Sequence, residues 1–134
     1  MNKNLQEIIR NSTFEVMDGF YVYAKVAKRP NEKHFMVSED KDEITVVTKQ
    51  ENLGDLEFVE RNKENYKLIA LNISVPFYAV GFLAAVSSAI AKEGMNILII
   101  ATYSKDYILV REEHFDKSIK VLSNLGFTKW TKRK

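Results

Sequence analysis

From Leu68 to Ala91 the chain reads "LIALNISVPFYAVGFLAAVSSAIA", 24 residues without a charge. The length alone would suit a bilayer span. The pattern inside it argues against one. The first part alternates with period two. Ile69, Leu71, Ile73 and Val75 share one strand face, and Leu68, Ala70, Asn72 and Ser74 share the other. Pro76 and Gly81 then break the rhythm. The remainder repeats at helical spacing, with Leu83, Val86 and Ile90 on one stripe and Phe82 and Ala89 beside them. A strand, the loop "PFYAVG" and a buried helix account for the run, so no membrane partner is expected.

The segments that follow fix the topology. Gly94 is a natural helix stop, with Met95 placed to pack back on the last turn. "NILIIAT" is too short for a membrane and too β-branched for a helix, so it reads as a buried strand. "YSKD" turns the chain and "YILVRE" returns antiparallel. A last helix is expected over about 113–125. Its stripe is Phe115, Ile119, Leu122 and Leu125, and Glu112, Glu113 and Asp116 crowd its positive end. Gly126 stops it, and "FTKWTK" closes as a short strand with Phe127 inward. The order β-α-β-β-α-β is the split βαβ, ferredoxin-like arrangement. This α+β fold is a four-stranded antiparallel sheet with two helices on one face.

The first half carries weaker signals. "NLQEIIRN" is a short amphipathic helix. "GFYVYAKVA" is a strand with Phe20, Val22, Ala24 and Val26 on one face, "RPNEKH" a turn or loop, and "EITVVTK" a second strand. "ENLGD" suits one helical turn and "LEFVE" a third strand. The resulting α-β-β-(α)-β order matches the second half without its first strand, a degenerate duplication with its boundary at "ERNKEN", 60–65. Two units are expected, 1–66 and 67–134.

Composition narrows the function classes. Among the 134 residues there is no cysteine, which removes disulfides, thiol catalysis and thiolate metal sites. The two histidines, His34 and His114, lie far apart, and no ligand spacing accompanies them, so no metal or other cofactor is expected. His114, among acids at a helix start, reads as a surface residue, and His34 carries even less signal. The opening "MNKNLQEIIRNST" lacks the apolar core of a secretory signal, which fits a cytoplasmic protein. The first 66 residues hold ten basic and thirteen acidic residues, the remainder ten and five. Four of the cations lie in the final "KWTKRK". Trp130 and that tail offer stacking and phosphate contacts, but no basic face continues into the fold, so nucleic acid is not expected as a partner. No nucleophile–base pair or phosphate loop appears, and no catalysis is expected.

Two places could meet a ligand. In "FYAVGFLAAV", Gly81 lets backbone approach closely, and the free N–H groups of a helix start favour an anion; a simple turn glycine explains it equally. Asp106, set against "YILV", could hold an ammonium or guanidinium group; a plain turn acid explains it as well.

These residues, taken in order, resemble a known family. Val80-Gly81-Phe82 opens the helix, "KEGMNI" steps from helix into strand, "TYSKDYILV" closes the hairpin, and "SIKVLSNLGF" fits a last helix. Together they are similar to the ACT domain, and to small stand-alone proteins built from two ACT-like units. The resemblance covers about 67–127 and reaches the first half through "GFYVYAKV" and "EITVVTKQENL". It implies a non-catalytic regulatory module that binds a small molecule, most often an amino acid, between domains. The ligand's α-amino and α-carboxyl groups would meet backbone at Ala79, Val80, Gly81 and Phe82. Ile100, Ala101, Thr102 and Asp106 would supply the other wall. The hairpin "IIATYSKDY" departs from some ligand-binding relatives in lacking their extra polar and aromatic residues. The second reading is an assembly or interaction module without a small ligand, since many such domains dimerise by placing sheets or helices side by side, and a homodimer is one form open to it. An enzyme on the same scaffold is the third reading, weighed down by the missing catalytic groups.

Overall fold

The computed structural model describes residues 1–75 and 79–131. The strand stop at Pro76, the first half of the loop "PFYAVG" and the last three residues of the basic tail lie outside them. The elements run α1 (Lys3–Arg10), β1 (Thr13–Val16), β2 (Tyr21–Val26), β3 (Met36–Glu39), β4 (Ile44–Lys49), β5 (Phe58–Arg61), β6 (Tyr66–Asn72), α2 (Phe82–Lys92), β7 (Leu98–Ala101), β8 (Asp106–Arg111), α3 (Phe115–Leu125) and β9 (Thr128–Lys129).

The second half folds as the expected ferredoxin-like β-α-β-β-α-β order. β8 lies between β6 and β7 and is antiparallel to both. The helices share one face of the sheet. Leu5, Ile9, Val86, Ile90 and Leu122 from the helices bury against Phe14, Ile69, Leu71, Ile108 and Val110 from the strands.

Two strands, β1 and β3, were not read from the sequence. β1 pairs antiparallel with β6, Phe14 opposite Leu71, and parallel with β9, Thr13 opposite Thr128. It therefore occupies the place beside β6 that β9 holds in the plain four-stranded arrangement. Both β1 and α1, from the first half of the sequence, complete the layer built by the second half. β6 also ends earlier than its alternation suggests. The strand stops at Asn72, and Val75 is exposed instead of continuing the buried face.

The opposite face of the sheet carries a second core of Leu68, Leu109, Ile100, Tyr21 and Val47. Phe35 stands edge-on between Tyr21 and Tyr107, with ring centroids 6.1 and 4.9 Å away. Here the first half contributes β3-β4-β2, with β5 added to the other edge of β2. This part joins the rest through the single pair Tyr21–Tyr66. The helical turn expected at "ENLGD" is not formed; the stretch makes only turns. β3 carries no signal in the sequence, because Val37, Ser38 and Glu39 are exposed on an edge.

Phe14 has no exposed surface and sits between two strands and three helices. Phe14→Ala is expected to cost about 3–5 kcal/mol, the usual loss for a large buried aromatic. Urea unfolding checks this, and a loss under about 1 kcal/mol would place β1 outside the core.

Candidate functional site

The end of β6 is held by a serine from the first half. The Ser12 hydroxyl donates to Ile8 O at 2.6 Å and accepts from the Ser74 amide at 2.9 Å. Ser12 is itself buried. The buried hydroxyl thus finds both its partners outside the sheet. The chain is thus bent away from β6 at Ser74 and delivered toward the start of α2. There Gly81 caps the helix at φ 86° with no side-chain cap. That left-handed backbone, rather than lack of room, calls for glycine, because an added Cβ would meet only Leu5 Cδ2, at 3.6 Å.

A pocket of about 260 Å3 opens between this helix start and the β7–β8 turn. Leu71, Ile73, Ala79, Phe82 and Ala101 supply apolar walls, and the turn 102–106 forms the rim. Asp106 enters because its register opposite Leu71 and Ala101 turns it to the helix side of the sheet. Its carboxylate makes no hydrogen bond or ion pair among the described residues, and burial holds its pKa above the ordinary value. The turn is closed by Thr102, whose amide and hydroxyl both donate to Lys105 O, at 2.8 and 3.1 Å.

Five of the eight residues named from the sequence meet here: Ala79, Phe82, Ala101, Thr102 and Asp106. The other three lie elsewhere. Val80 points to solvent, 86% exposed. Gly81 lines a separate groove between α1, α2 and α3. Ile100 is buried in the core on the far face. Strand alternation explains Ile100: it and Ala101 cannot face the same side. The serine pair was missed altogether, because Ser12 and Ser74 are 62 residues apart and carry no local pattern.

The histidines behave differently from expectation. The His34 side chain is fully buried. Its Nδ1 lies 2.8 Å from Thr48 Oγ1 and its Nε2 2.9 Å from Asp55 Oδ1. The Glu32 amide donates to the other Asp55 oxygen, and that bond, with the His34 contact, holds the Asp55 carboxyl below its ordinary value. The cluster pins the segment that carries Phe35 to the β4–β5 connection. His114, read as a surface residue, is half-buried, and its Nδ1 is covered and without a partner among the described residues.

Residues 63–124 match the family model of the ACT domain. The fold is similar to that of a Vibrio cholerae protein of unknown function, described as a possible transport protein. Identity there is 23%, over 92% of this chain and 97% of that one, with a TM-score of 0.77. It is also similar to aspartate kinase from Synechocystis, at 18% identity over 91% of this chain and 28% of that one, TM-score 0.68. The ligand-free regulatory subunit of aspartate kinase from Thermus thermophilus aligns at 9% identity over 85% of this chain and 95% of that one, TM-score 0.59. At such identities the likeness is one of fold. No curated protein matches the chain.

Ser12→Ala leaves the Ser74 amide without its acceptor. Ser74 is exposed, so water can take the place of the lost acceptor, and the expected cost is about 0.5–1.5 kcal/mol, the net worth of an ordinary hydrogen bond. Amide hydrogen exchange is expected to quicken at Ser74 and through the start of α2 before it quickens in β6. Unchanged exchange at Ser74 would show that the hydroxyl does not hold the loop.

Proposed function

We propose, from the match of residues 63–124 to the ACT-domain family model, a regulatory protein that binds an amino acid between Ala79, Phe82 and the 101–106 turn. One observation carries the reading: Asp106, a carboxylate without a partner among the described residues, stands beside the polar turn residues at the rim of a pocket whose walls are apolar. An acid so placed suits an ammonium or guanidinium group, through charge-assisted hydrogen bonds. Leu71, Ile73 and Phe82 then cover the carbon skeleton, and a volume of about 260 Å3 fits a small molecule rather than a peptide. The regulatory part of the proposal draws on the Thermus thermophilus neighbour, a regulatory subunit by description.

The role proposed is binding without catalysis. The arrangement that comes nearest to a catalytic line is Asp55–His34–Thr48. It ends on a threonine 1% exposed, which no substrate reaches. Assembly into a homodimer is a compatible second reading. It is favoured by β7, which pairs only with β8 among the described residues and leaves Ile99 exposed beside its open edge.

An amino acid at millimolar concentration is expected to raise the melting temperature by mass action. Asp106→Ala is expected to weaken binding by roughly ten- to a hundredfold, the 1.5–3 kcal/mol of a hydrogen bond to a charged group. Flat melting curves across all twenty amino acids, or full binding by Asp106→Ala, would contradict the proposal. The pH dependence has a definite sign. Ligand held by the charged carboxylate binds fully at neutral pH and weakens as pH falls through the raised Asp106 value. Stability without ligand runs the other way. The folded chain holds that proton more tightly than the unfolded chain, so the charged form detracts from stability at neutral pH. Asp106→Asn is therefore expected to raise the melting temperature at pH 7 and to lose that advantage in acid.

A further inference from the structure

A second cavity, about 390 Å3, lies at the other end of the β6–β8 pair. Tyr66 opposite Arg111 marks that end, and Leu71 opposite Asp106 marks the first. Five residues of strand separate them, roughly 17 Å. The link from β5 into β6 brings Arg61 and Lys63 to one wall. The step into β7 and the end of β8 bring Asn96 and Arg111 to the other. The two halves of the sequence thus meet here.

The charged groups that line this cavity are mostly cations. Arg61 lies 5.9 Å above the Phe58 ring and has no carboxylate partner among the described residues. Lys63 likewise makes no ion pair among them. Arg111 is shared between Glu64 at 3.5 Å and Glu113 at 3.6 Å, in partly exposed contacts of little strength. The Tyr66 hydroxyl accepts from Asn62 Nδ2 at 2.8 Å, which leaves its own proton to give. Three cations and one acid, Glu64, line the cavity. Two guanidinium forks and an ammonium around a concave space match a group with several negative oxygens.

We infer that this cavity binds a small oxyanion, a phosphate- or carboxylate-bearing molecule, at a site separate from the Asp106 pocket. The two sites have opposite electrical preference and share the β7–β8 hairpin, which runs from one to the other. A bound anion bridges Arg61 and Lys63, from the first half, to Arg111, from the second. It also relieves the mutual repulsion of the three cations.

Inorganic phosphate and citrate, titrated separately at matched ionic strength, test the inference by melting temperature and by calorimetry. At least one is expected to bind saturably, with a rise in melting temperature that sodium chloride does not reproduce. Phosphate alone identifies a phosphate-bearing ligand, citrate alone a carboxylate-bearing one, and both a general oxyanion site. Arg61→Ala with Lys63→Ala is expected to weaken binding tenfold or more. Both side chains are exposed, so the variant keeps its fold, which its unliganded melting curve verifies. Lys41→Ala with Lys120→Ala, which removes two exposed cations elsewhere, is expected to leave anion binding unchanged. The inference is overturned if neither anion binds saturably, if sodium chloride gives the same shift, or if the Arg61/Lys63 variant binds as tightly as the parent.

Discussion

Everything in this molecule leans on one strand closed on all four sides. Leu68, Ile69, Ala70 and Leu71 in β6 have no exposed surface. β1 and β8 cover its edges and two cores cover its faces. A strand apolar on both faces has a weakness: a one-residue slip exchanges one buried set for another, so burial alone specifies its register poorly. Polar contacts at the ends supply the missing specification. Asn72 Nδ2 donates to Thr13 Oγ1 at 3.3 Å and Ser12 holds Ser74 at one end; Asn62 holds Tyr66 at the other. These bonds gain little stability one by one, and they decide where the strand sits.

That arrangement places function at the ends of β6 rather than along it. The strand interior has no room for a ligand. Where the chain leaves it, at Ser74, backbone turns out of the sheet, and Ala79 and Phe82 at the start of α2 face the β7–β8 turn across a hollow with apolar walls. Where the chain enters it, at Tyr66, the charged link from the first half meets the far end of the same hairpin. Among the described residues, one end presents an unpaired carboxylate, Asp106, and the other two cations without an acidic partner, Arg61 and Lys63. The first half takes part in both: α1 and β1 buttress the loop at one end, and Arg61 and Lys63 line the other.

The parts of the fold legible in the sequence were those where local pattern and burial agree. The switch from period two to helical spacing within 68–91 gave β6 and α2, and the apolar runs around "TYSKD" gave the hairpin. β1 escaped because "TFEV" is four residues long and only its place between β6 and β9 explains its apolar residues. β6 was read too long because alternation continues through Ile73 and Val75, whereas a hydroxyl from Ser12 bends the chain away at Ser74. For the candidate site, resemblance to the family named two segments that line one pocket, and alternation applied strictly would have removed Ile100. His34 carried no pattern at all: its partners Thr48 and Asp55 come from the far side of a hairpin, and burial of a charged-looking loop is visible only in three dimensions.

Backbone NMR under amino-acid titration tests the central claim most directly, because it reports where binding occurs as well as whether it does. The account predicts saturable shifts in the amides of Ala79, Phe82, Thr102 and Asp106, together with a shift of the Asp106 side-chain carboxyl carbon, while the amides of Arg61 and Lys63 stay in place. Saturable shifts confined to other residues, or none for any amino acid, would contradict it.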